Sequence, residues 1–111
     1  VRDYVHVEDI AQAHLVALGR LEYLPHLSYN LGLGQGFSVR EVLDTARSVI
    51  GIRIPERDEP RRAGDPPVLV ADPSSAVLDL DWRPKHKSLE AILESAWHWH
   101  RDNPYGYLGV V

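Results

Sequence analysis

The first seven residues alternate in character. Arg2, Tyr4 and His6 fall on one side and Asp3, Val5 and Val7 on the other, the two-residue period of a strand, which is therefore expected over residues 1–7. Glu8 and Asp9 follow, placing negative charge where a helix N-terminus favours it, and the helix they open is expected to run through Leu18 or beyond. Its apolar residues make two adjoining stripes, one of Ile10, Ala13 and Ala17 and one of Ala11, Leu15 and Leu18. A stripe that wide predicts a helix buried over most of its girth.

Further along, residues 28–31 suit a short strand that leads into Gly32, Gly34 and Gly36. Ser38-Val39-Arg40-Glu41 has the spacing of a capping box, in which serine and glutamate each satisfy the other's free backbone N–H. Val39, Val42, Leu43, Ala46, Val49 and Ile50 then recur at helical spacing, and Gly51 supplies a left-handed stop. Residues 53–57 and 68–71 are expected as short strands. The stretch 58–67 between them is too rich in proline, glycine and charge for regular structure. Asp72-Pro73 reads as an N-cap and first-turn proline of a helix reaching Leu80. Ser88 caps the last helix, with Leu89, Ile92, Leu93, Ala96 and His100 along one side and Asn103-Pro104 as its stop. Strands and helices alternate, so the class is α/β, in the form of a mixed α+β unit.

Composition narrows the functions. A chain of 111 residues makes one domain rather than two. Its net charge of -4 offers no basic stripe to neutralise a nucleic-acid backbone. With no cysteine, disulfides, thiolate metal sites and thiol nucleophiles are excluded. No apolar run approaches the roughly 20 residues of a membrane span, and the cytoplasm is the expected compartment. The chain has no methionine and opens directly on a strand-like pattern, which leads us to expect a piece of something longer.

Three features invite chemistry. The glycine cluster lies between strand-like and helical segments, but its third glycine comes one residue early for a dinucleotide fingerprint and Phe37 stands where close packing wants glycine. A tight turn is the better reading, and no cofactor-binding residue is assigned. His98 and His100 are two apart on a helix and point to opposite sides, and His6 and His14 lack a carboxylate at ligand spacing, so no metal site is assigned. Arg61-Arg62-Ala63-Gly64-Asp65 reads either as a solvated face or as an anion clamp, in which a guanidinium fork grips phosphate and Asp65 accepts from ribose hydroxyls. Arg2 joins that clamp if its strand face looks towards the same loop.

Four ordered stretches carry a family resemblance. Residues 2–14 (RDYVHVEDIAQAH), 30–39 (NLGLGQGFSV) and 61–65 (RRAGD) resemble, in that order, the strand–helix signature, the next strand–turn–helix and the sugar-nucleotide loop of extended short-chain dehydrogenase/reductases. The ending over residues 97–107 (WHWHRDNPYGY) is similar to that of the UDP-glucose 4-epimerase branch. The resemblance covers essentially the whole chain. It implies the C-terminal, substrate-binding portion of a two-domain isomerase of galactose and carbohydrate metabolism, lacking the main Rossmann domain. The missing part would hold NAD and a Tyr-x-x-x-Lys pair for acid–base work. Neither that pair nor the N-terminal glycine fingerprint occurs here, so no catalytic residue is assigned in this chain and the chain alone is expected to be inactive.

The implied reaction inverts C4 of the hexose through a 4-keto intermediate. Carried over from the family, Arg2 and Arg62 bind the UDP diphosphate and Asp65 a ribose hydroxyl. The aromatic contact some relatives place four residues after that aspartate is Leu69 here, which puts it in doubt. Tyr4, His6 and Asp9 read as packing and capping residues, and Arg61 as a structural ion-pair partner. Self-association or a homodimer is expected. The rival readings are another nucleotide-sugar reductase of the same family, a dehydratase or decarboxylase, and a free-standing binding domain without chemistry.

Overall fold

The computed structural model describes residues 1–25 and 28–107. Two helix pairs and a very small sheet make up the molecule. In chain order they are β1 (Arg2–Asp3), α1 (Val7–Arg20) with a 3-10 turn at Leu21–Tyr23, β2 (Gly36–Phe37), α2 (Val39–Ile50), α3 (Ser74–Leu80) and α4 (Leu89–Asp102). α1 packs on α3, and α2 on α4. The core lies under the first pair, where Ala13, Ala76, Leu80 and Trp82 are buried against Val5, Val16, Ala17, Leu24, Tyr29 and Leu31.

The expected strand over residues 1–7 contracts to β1, because partners exist only there. β2 pairs with it antiparallel, Arg2 opposite Phe37 and Asp3 opposite Gly36, while Leu69 forms an isolated parallel bridge to Arg2. By residue 6 the chain is already turning into α1: the Glu8 N–H donates to His6 Nδ1 at 3.1 Å, so His6 caps the helix. The expected strand at 28–31 does not form either. Tyr29 instead donates to Asp79 Oδ2 at 3.0 Å and Leu31 packs on the core. Side-chain clamps rather than a ladder hold residues 53–57, for Arg47 Nη2 donates to the Ile54 carbonyl at 3.0 Å and Glu56 accepts from Arg40 and Arg47, each at 2.6 Å. Of the strand expected at 68–71 only the Leu69 bridge exists.

The helices follow the sequence more closely. α2 carries the full capping box, with the Ser38 N–H donating to Glu41 Oε2 at 2.7 Å and the Glu41 N–H to Ser38 Oγ at 3.1 Å. Gly51 ends it at φ 74°. Ser88 Oγ accepts from the Ala91 N–H to start α4, and Asn103 closes it. α3 begins one residue later than expected: Pro73 occupies the cap position, while Asp72 Oδ1 accepts from the Ser74 N–H at 3.0 Å. α1 is less buried than its two stripes suggest. Ala13 faces the core, but Ala11, Leu15 and Leu18 on the second stripe lie exposed.

Candidate functional site

β1 fixes Arg2, and Arg2 in turn anchors the irregular loop 61–67. Its Nη2 donates to Asp65 Oδ1 at 2.5 Å, and its Nη1 donates to the carbonyls of Val1 and Pro66 at 2.8 and 3.0 Å. The loop doubles back at Gly64, whose φ of 79° is the left-handed region that suits glycine, and the Asp65 N–H reaches the Arg62 carbonyl at 3.4 Å. Arg62 Nη2 stands 3.5 Å from Asp65 Oδ2. Arg2, Arg61, Arg62 and Asp65, with Val39 from the first turn of α2, thereby line one open cavity of about 290 Å³.

The two arginines flanking Asp65 are held differently. The Arg2 side chain is 32% exposed and tethered at three points, so its fork is already aimed; that of Arg62 is 86% exposed, free to swing onto an incoming group. A single carboxylate shared by two guanidinium groups leaves the site positive. Such a site suits an oxyanion held by forked N–H donors, with Asp65 as acceptor for a hydroxyl nearby. The three residues expected to converge do converge. Arg61 departs from expectation: among the described residues it has no ion-pair partner, because the nearby Glu59 is paired with Arg57, and its position is on the cavity wall. Leu69 lines a neighbouring cavity of about 380 Å³ that also touches Arg2, rather than this one.

The glycine turn is built for a different purpose. Asp3 accepts from the N–H groups of Leu33 and Gly34 at 2.9 and 3.0 Å and from that of Ala71 at 3.3 Å. In a dinucleotide site, N–H groups at such a turn face the pyrophosphate. Here Asp3 uses them, and a Cβ on Gly32 would lie 2.5 Å from its Oδ2. NAD does not fit this turn. Sequence reading missed Asp3, whose only signal was an acid on a strand facing a glycine turn.

One cluster of metal-ligating groups occurs among the described residues: His6, Glu8 and His86. The His6 and His86 rings stack at 3.8 Å and 17°. His6 Nδ1 spends its lone pair on the Glu8 N–H, which leaves Nε2 protonated in the neutral ring. A metal lies in the plane of a ligating imidazole, not between stacked faces, so the arrangement fits a helix cap and not an ion. Asp9, expected to pack and cap, does not cap α1, a place His6 takes: buried beside this pair, it accepts from the Lys85 and His86 N–H groups at 2.8 and 3.0 Å.

No family model matches the chain. Against curated proteins it is 52% identical over 107 residues to a UDP-glucose 4-epimerase of Streptomyces lividans, covering 96% of this chain and 32% of that protein. A UDP-glucose 4-epimerase of Halalkalibacterium halodurans is 47% identical over 108 residues, with the same coverage of 96% and 32%. The chain thus spans about a third of the length of the curated relatives it matches. Among solved structures, a UDP-glucose 4-epimerase from Bifidobacterium longum in complex with NAD+ and UDP superposes with a TM-score of 0.84 at 34% identity, covering 95% of this chain and 31% of that one.

Proposed function

We propose that this chain, a relative of the UDP-glucose 4-epimerases over 96% of its length, is the UDP-sugar-binding, C-terminal part of such an enzyme. Arg2 and Arg62 grip the diphosphate, and Asp65 takes a ribose hydroxyl while holding Arg2 in place. The observation that carries this reading is the convergence of Arg2 and the distant Arg62 and Asp65 on one cavity. A chance surface has no reason to bring them together.

The reaction assigned to the complete enzyme is the interconversion of UDP-glucose and UDP-galactose at C4. NAD belongs to the rest of the enzyme, since Asp3 fills the glycine turn of this chain. The share of the residues described here is to anchor the nucleotide while the sugar remains free to turn. Contacts to the diphosphate are the same before and during reaction at C4, so they set affinity more than turnover. The purified chain, given NAD and UDP-galactose, is expected to bind the nucleotide and to form no UDP-glucose. UDP-glucose above a blank would overturn the division of labour; failure to bind UDP would overturn the site.

A further inference from the structure

Arg61 was expected to be structural, and the structure gives it nothing structural to do. Among the described residues its side chain makes no ion pair and no hydrogen bond, although it lines the same cavity as Arg2 and Arg62. The nearest acidic residue in sequence, Glu59, is engaged by Arg57. Asp58, the next in sequence, forms no ion pair with it among the described residues, Asp65 is shared by Arg2 and Arg62, and Glu56 is held between Arg40 and Arg47.

Charge balance gives the lone guanidinium a role. Arg2 and Arg62 share Asp65, so that trio carries one net positive charge. A nucleoside diphosphate sugar carries a negative charge on each phosphate. Arg61 adds the second positive charge, and it alone of the three has no carboxylate to release when an anion arrives. Gly64 turns the loop back at φ 79° and the Arg2 bonds to Asp65 and Pro66 pin it to β1, so the backbone bearing Arg61 is held beside the cavity.

We infer that Arg61 is a third anion anchor of the cavity, matching the charge of the substrate's diphosphate; this rests on the UDP-sugar reading above. It acts at long range through a solvated guanidinium, so its contribution is electrostatic and screened by salt. The test is calorimetric titration of UDP, and of uridine as the uncharged control, into the chain and its Arg61→Gln, Arg61→Lys and Arg62→Gln variants at two salt concentrations. Arg61→Gln is expected to weaken UDP binding roughly fivefold at low salt and less at high salt. Arg61→Lys should bind near the parent level, and uridine binding should not change. Because Arg61 makes no hydrogen bond or ion pair among the described residues, its variants should melt with the parent chain. UDP binding unchanged in Arg61→Gln but weakened in Arg62→Gln would overturn this inference and leave the site reading intact. No UDP binding by the parent chain would overturn both.

Discussion

Asp9 shows how one side chain can hold distant parts of the chain. Its carboxylate takes the N–H groups of Lys85 and His86, and its carbonyl takes Trp82 Nε1 at 2.8 Å, so the segment leading into α4 hangs on the first turn of α1. Burial pushes its carboxyl up, but the two backbone N–H groups and the neighbouring His86 outweigh burial and hold it below the ordinary value. A carboxyl depressed in this way stabilises the fold above its unfolded value of about 4, and that stability is lost as pH falls through the lower folded value. Asp9→Asn should therefore cost about 1.5–3 kcal/mol at neutral pH, the scale of hydrogen bonds to a buried charged acceptor. Its stability should also fall less steeply than the parent's below pH about 4. Denaturant melts of both proteins across that range decide it; parallel curves would remove Asp9 from the acid response. The sequence made Asp9 legible only as an acid at a helix start, because the segment it holds arrives from the far end of the chain.

At the scale of elements, what was legible is what is local. Ser38 with Glu41, Gly51 and Ser88 act within a turn of themselves, and each does what its spacing implies. Strands need a partner that sequence does not name, and so all four expected strands shrank or vanished while the helices stood. The same rule separates the arginines: Arg47 and Arg40 closing on Glu56 was unreadable, and Arg61, expected in an ion pair, has none among the described residues, while Arg57 pairs with Glu59. Ser38→Ala should destabilise by about 1 kcal/mol through loss of the N-cap. Gly32→Ala should cost more, about 1–3 kcal/mol, since its Cβ would meet Asp3 Oδ2 at 2.5 Å and the Ala71 Cβ at 2.6 Å. Urea melts followed by circular dichroism test the order. A Gly32→Ala protein as stable as the parent would mean that Asp3 does not brace the turn.

The whole molecule is loosely gathered. Its radius of gyration of 16.7 Å exceeds the about 13 Å of a compact domain near this length. Among the described residues three of the six buried apolar side chains are alanines, while Leu15, Leu18 and Tyr23 are 65%, 69% and 83% exposed along and just beyond α1. No helix among the described residues is long and apolar enough to cross a membrane. The short strand β1 offers no open edge for self-association, having β2 on one side and Leu69 on the other. The exposed face of α1 is the better candidate, since neighbouring exposed apolar side chains favour burial against another protein surface. Light scattering over a dilution series should show mass rising with concentration, and Leu15→Glu with Leu18→Glu should suppress the rise. A monomer at every concentration would contradict it.

The central claim is that Arg2 and Arg62, for the diphosphate, and Asp65, for a ribose hydroxyl, form a site for a UDP-sugar. Amide chemical shifts followed by NMR while UDP is added test it most directly, because they report both binding and place. The account predicts saturable shifts at Arg2, along 61–67 and at Val39, with the glycine turn around Leu33 and Gly34 quiet. Shifts centred on that turn, or none anywhere, would contradict it.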